Sequence, residues 1–232
     1  MKDRDIDEIL KRAADGAPKV DPALLDRVSG SLRASLQPVR PLPPSWMLVT
    51  GLILICGMVV LAGAMRLGLY GVQEMSVLEI GLIFPVLGIL IWIAAALCVA
   101  EVIPGSPRPM APWLLYLSGC VGLAAVFGLL FSDYSTERFV SLGMKCLTAG
   151  LLHALPASLA VWLVLRRGFA VNSTAAGLAK GTLAGLAGVT LLELHCANFE
   201  APHVIVWHTA VLAISGVAGA QIARAARALT SK

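Results

Sequence analysis

The sequence predicts an all-α membrane protein: six transmembrane helices in one bundle, preceded by a short helical cytoplasmic N-terminal tail. Three observations carry this. First, 58% of the 232 residues are hydrophobic and 14% are charged, against about half and about one quarter in an ordinary soluble domain. Second, the apolar residues gather into six runs, each near the ~20 residues that a bilayer core requires. Third, residues 1–45 hold eight of the 18 Lys/Arg and seven of the 14 Asp/Glu, so charge is concentrated before the first run. A soluble α/β domain, a secreted enzyme and a disulfide-stapled mini-protein are excluded. The five cysteines are too few and too scattered for a disulfide framework.

The tail, residues 1–45, is nearly neutral, which argues against a polybasic arm for nucleic acid or anionic lipid. It has no apolar stretch of the kind a cleaved signal peptide needs. Two short helices are legible in it. Asp5–Ala14 places Ile6, Ile9, Leu10 and Ala13 on one face. After the breakers Gly16 and Pro18, Asp21 caps a second helix with Pro22 at its first position. That helix presents Leu24, Leu25, Val28, Leu32 and Leu36, and the stiff segment PVRPLPP follows. So few residues bury little core alone, so the stripes must dock, either on a membrane surface or in the groove of a partner protein. The balanced charge and the stiff spacer favour the protein.

The six spans are read as Trp46–Met65, Val77–Ala100, Pro112–Phe131, Val140–Leu165, Thr174–Leu194 and Val204–Ile222. The fourth is longer than the bilayer core needs. Breakers separate them: Pro104, Gly105, Pro107 and Pro109 after the second, SDYSTER after the third, and Arg166–Arg167–Gly168 after the fourth. With the tail cytoplasmic, fifteen Lys/Arg fall on that side and only Arg66, Arg138 and Lys145 on the other. The asymmetry places both termini in the cytoplasm, with residues 46–223 forming the transmembrane domain and 224–232 a cytoplasmic end. Trp46 and Trp113 stand at span starts as interfacial anchors. In the fifth span, Gly177, Gly181 and Gly185 recur every four residues with Gly188 near the same face. Such a face admits another helix closely, and a contact inside one bundle is favoured over a homodimer seam. No internal repeat supports an inverted-repeat transporter.

All four histidines lie in the last 80 residues, and His195, His203 and His208 fall at the outer ends of spans five and six. Cys146, Cys196, Glu193 and Glu200 fall with them, whereas Cys56, Cys98 and Cys120 sit inside apolar runs as small hydrophobes. Cys146 and Cys196 could form a reversible disulfide if their α-carbons come within ~7 Å. With Glu193, His195, His203 or His208 they could instead hold a zinc- or copper-like metal. The plain alternative is that polar residues collect at helix ends because water is there. Glu193 could likewise be a helix-end partner for Lys145. Cys146 and His153 share a face but stand about 10 Å apart along it, too far to share an ion. His153 with Pro156 could mark a packed kink or, as an ionisable group at membrane depth, a functional position.

The chain resembles a known family in four stretches: LQPVRPLPP before the first span, CLTAGLLHALPASLAVWLVLRRG (Cys146–Gly168), AAGLAKGTLAGLAG (Ala175–Gly188) and LELHC (Leu192–Cys196). These resemble the NrsF family of bacterial inner-membrane anti-sigma factors for extracytoplasmic-function sigma factors. The similarity runs over nearly the whole chain. It implies that the N-terminal segment, through Ile6, Ile9, Leu10, Leu24, Leu25, Val28 and Leu32, binds the sigma factor. It implies further that Cys146 and Cys196 match the family's paired cysteines, needed for release under metal or oxidative stress. The chain departs from the family pattern by adding His203 and Trp207–His208 after the final HC. That weakens the case for a thiol-only sensor and strengthens the case for a metal-assisted one, with both left open.

The expectation is therefore a non-enzymatic regulator that holds a sigma factor at the inner membrane, contacts no nucleic acid directly, and carries no certain cofactor beyond a candidate metal ion. The rival is a metal- or haem-handling membrane protein, or a thiol oxidoreductase, using the same cluster. Two histidines at membrane depth could ligate haem, but the spans lack a continuous polar path.

Overall fold

The computed structural model describes residue 8 and residues 11–12, 21–35 and 42–230. The stripe residues Ile6, Ile9 and Leu10 lie outside the described residues. The chain divides into two units, Met1–Pro41 and Leu42–Lys232. In the first, Pro22–Ser35 is one helix, opened by Asp21, whose carboxylate accepts from the Ala23 amide. Leu24, Leu25, Val28 and Leu32 are exposed along it.

The second unit holds six helices long and apolar enough to cross a membrane: Ser45–Leu67, Val77–Val102, Pro112–Leu130, Phe139–Leu165, Ser173–His195 and Ala201–Leu229. They are spans 1 to 6 below. The architecture is the one the six runs predict, with no strand among the described residues. Local chemistry sets the boundaries. Ser76 and Glu79 form a reciprocal capping box at the start of span 2. Pro112 opens span 3 at its first turn. The Asn172 side chain accepts from the Ala175 amide to open span 5. The largest departure from the predicted limits is span 6, which begins three residues earlier and continues well past Ile222.

Span 5 is the axis of the bundle. Its central stretch is 78% buried, against 22–39% for the other five spans. Small residues make this possible. A Cβ at Gly177 would strike the Gly219 carbonyl, and one at Gly181 would strike the Ser215 carbonyl, both on span 6. Gly185 packs on Leu212 of the same helix, and Gly188 meets the Gly150 carbonyl of span 4. The glycine face is thus a contact inside the bundle, where backbones approach without side chains between them.

The links between spans gather at two ends. At one, the 1–2, 3–4 and 5–6 links meet. The Ala201 amide donates to the Asp133 carbonyl at 2.6 Å, and Phe131 stacks on Phe199 with ring centroids 5.1 Å apart. The short helix Tyr70–Glu74 lies against the end of span 5. A Cβ at Gly71 would stand 2.5 Å from the Glu193 carbonyl and 2.8 Å from that of Cys196, so only glycine fits there. At the other end, the Phe169 amide donates to the Val102 carbonyl, joining the 2–3 and 4–5 links. There the fully buried Glu101 carboxylate forms an ion pair with Arg108, Oε1 to Nε 2.9 Å.

Candidate functional site

The site lies at the end where the 1–2, 3–4 and 5–6 links meet. Three spans build it. Span 4 supplies Cys146, two turns into the helix. Span 5 supplies Glu193 in its last turn and Cys196 as its cap. Span 6 supplies His203 and His208 from its first two turns. These histidines are five apart, and an α-helix would turn them about 140° away from each other. Val204–His208 is instead a π-helical turn. Its wider i→i+5 closure returns His208 to the face of His203. Their rings stand 5.5 Å apart, edge to face.

Four side chains converge. Cys146 Sγ and Cys196 Sγ are 3.3 Å apart, and both cysteines are free thiols. Cys196 Sγ is 3.5 Å from His203 Nε2. One ligand atom from each of Cys146, Cys196, His203 and His208 lies within 4.8 Å of all the others. Cys196, His203 and His208 are buried and Cys146 is half-buried. Cys196 lies just beyond span 5. Its hydrogen bond with Cys146 and its burial raise the thiol above its ordinary range, against a lowering pull from His203 and His208.

Behind the quartet stands a carboxylate. Glu193 Oε1 and His208 Nδ1 are 2.6 Å apart, and both side chains are fully buried. A hydrogen bond this short between buried groups fixes the imidazole's orientation. It leaves His208 Nε2 buried and without a hydrogen-bond partner, like His203 Nδ1 and Glu193 Oε2. Aromatic rings close the site. Phe127 stands edge-on to His208. The Trp207 indole fills the space a side chain at Gly143 would take.

The structure thus brings together Cys146, Cys196, His203 and His208, with Glu193 directly behind. Glu193 turns inward to His208, not outward to Lys145. His195 is not in the quartet. Its Nδ1 lies 3.4 Å from the Gly68 carbonyl and its ring packs beside Tyr70, because the residue before Cys196 points to the other side of the helix end. Glu200 is engaged locally, by the amide of Asn198. His153 is spent on the Ala149 carbonyl of its own helix at 2.8 Å, and its ring fills the space beside Gly63. Two features have no trace in the sequence reading. One is the π-helical turn, which no residue type between Val204 and His208 announces. The other is the Glu101–Arg108 pair, whose seven-residue spacing crosses a loop rich in proline and glycine.

The quartet is close enough to hold a metal ion, and its two sulfurs are close enough to be joined by a modest shift. A family model described as NrsF, negative regulator of sigma F, matches residues 32–227. Searches of curated proteins and of solved structures returned no match.

Proposed function

The chain belongs to the NrsF family of negative regulators of sigma F, and from that premise we propose how it regulates. The N-terminal segment, residues 1–45, lies in the cytoplasm of a bacterium whose inner membrane holds the bundle, and it sequesters an extracytoplasmic-function sigma factor. The helix Pro22–Ser35, with Leu24, Leu25 and Val28 exposed along it, supplies part of the apolar stripe that docks. Ile6, Ile9, Leu10 and Leu32 complete the binding segment. The opposite face of the membrane carries the sensor. Oxidation or metal capture changes the bonding of Cys146 and Cys196, spans 4, 5 and 6 shift against their neighbours, and the tail loses its hold.

One observation supports the reading above the others. Two thiols and two imidazoles from three different spans meet in one spot, so a disulfide there pulls on two helices and a metal ion on three. To take the sigma factor from mostly bound to mostly free, the signal must favour release by roughly 5 kcal/mol. One disulfide or one metal site supplies energy of that order.

The test is a sigma-dependent reporter in cells, under metal and oxidant challenge. Wild-type protein should release the sigma factor, and the double variant Cys146→Ser/Cys196→Ser should hold it silent. A double variant that released normally would sink the sensor reading. Full-length Leu25→Asp/Val28→Asp protein should fail to capture the sigma factor whatever the state of the cysteines.

A further inference from the structure

We propose that Cys146, Cys196, His203 and His208 form a four-ligand site for a borderline divalent ion of the zinc class, with Glu193 as the positioning residue that presents His208. This deepens the sensor reading and rests on taking the cluster as the functional site, but not on its coupling to a sigma factor.

The geometry points to a metal ahead of a disulfide as the occupant these residues are built for. Tetrahedral zinc with bonds of about 2.3 Å to sulfur and about 2.0–2.1 Å to nitrogen sets its ligand atoms about 3.3–3.8 Å apart. The Cys196–His203 separation of 3.5 Å already lies at the sulfur–nitrogen spacing, and the two sulfurs, 3.3 Å apart, need only open to the ~3.75 Å of a sulfur–sulfur pair. The widest separation in the quartet is 4.8 Å, and closing it by about 1 Å takes small side-chain rotations toward a common centre. A disulfide would use two of the four donors. It would leave His208 Nε2 as it stands, buried and without a partner.

The His208 ring is arranged as a ligand. When Nδ1–H donates to Glu193 Oε1, Nε2 carries the lone pair. A carboxylate behind a histidine ligand is the usual outer partner of a zinc site, fixing tautomer and orientation. The donor types choose the ion. Two sulfurs and two imidazoles in a tetrahedral set suit zinc and exclude calcium and magnesium, which take oxygen. On binding, the two thiols each lose a proton to solvent and each forms one sulfur–metal bond. The two thiolates offset the ion's charge.

The experiment uses full-length protein purified in detergent under reducing conditions, loaded with Zn(II) or with Co(II) as an optical probe. Wild type should bind one ion per chain, give the absorption of a tetrahedral thiolate–cobalt centre, and show two sulfur and two nitrogen neighbours by X-ray absorption at the zinc edge. Cys146→Ser and Cys196→Ser should lose the tetrahedral spectrum. His203→Ala and His208→Ala should each bind at least tenfold more weakly, with the spectrum shifted. Glu193→Gln should bind about tenfold more weakly with the tetrahedral spectrum kept, which a purely structural role would not produce. His195→Ala should match wild type. Wild-type protein that binds no ion while all its thiols titrate as free would overturn the proposal. A neighbour shell without nitrogen would do the same. Both of these readouts are taken on the unaltered chain, so they hold even where a variant folds poorly. Metal binding confirmed in vitro with no effect on the reporter would leave the site standing and remove only its role in release.

Discussion

Each end of the bundle buries one carboxylate completely, and the two ends use it differently. Glu193 meets His208, itself fully buried, at 2.6 Å, and beyond it stand two thiols and a second imidazole. Glu101 meets Arg108 at 2.9 Å, but Arg108 is about half exposed and belongs to a loop. The first pair is fully buried, with Phe127 of span 3 against the His208 ring. The second is a latch that ties the 2–3 link back to its own helix. A buried charge is therefore not by itself the mark of a functional site. What distinguishes the Glu193 end is its company: two thiols and a second imidazole from three spans converge beside the pair, whereas Glu101 meets a single loop guanidinium. Both ends leave buried polar atoms without a hydrogen bond, His208 Nε2 and His203 Nδ1 at one and the two Glu101 oxygens at the other, and such groups cost stability unless something engages them.

That contrast can be broken by substitution, and the largest effect is expected where both partners are sealed. His208→Leu leaves the Glu193 carboxylate buried without its imidazole, and should cost about 3–5 kcal/mol in unfolding from mild detergent. The double variant Glu193→Leu/His208→Leu should recover much of that loss, because it buries no uncompensated charge. Next comes the packing that holds spans 5 and 6 together. Gly181→Val drives a side chain into the Ser215 carbonyl and should cost about 1–3 kcal/mol or more, whereas Gly51→Ala, with nothing within 4 Å, should be silent in the same assay. Arg108→Ala strands Glu101, but water reaches the vacated position, so a loss of about 1–2 kcal/mol is expected. His195→Phe forfeits one long contact to the Gly68 carbonyl and keeps the packing on Tyr70. It should change stability by less than about 0.5 kcal/mol. Equal losses for His208→Leu and Arg108→Ala would erase the distinction between the two ends.

The fold was legible because membrane helices announce themselves by length and hydropathy, and five of the six spans lie within about two residues of their predicted limits. Span 6 runs past its predicted end at Ile222 because the helix carries on through Arg224 and Arg227, and hydropathy marks where an apolar run ends, not where a helix does. The glycine face of span 5 was legible too, since only a closely approached backbone explains four glycines on one side. The site was legible by composition and only partly by geometry. Clustering at helix ends found Cys146, Cys196, His203 and His208, but it also drew in His195, adjacent to Cys196 in the chain and turned away from it in space. Separating them takes the direction of each side chain at a helix end, which residue spacing does not supply. The π-helical turn is the deeper case. Under α-helical spacing His203 and His208 diverge, so sequence periodicity argues against the very pairing that the structure makes.

The donors of the quartet also carry an order in time. Cys146 and Cys196 are synthesised before His203 and His208, and span 6 lies along the glycine face of span 5. A growing chain that has threaded five helices holds the thiols but neither imidazole. The third and fourth donors arrive only when the last helix docks. The cluster is thus the final piece of the bundle to be completed, and a chain truncated before Ala201 would display its sulfurs with none of the nitrogen chemistry that accompanies them in the finished protein.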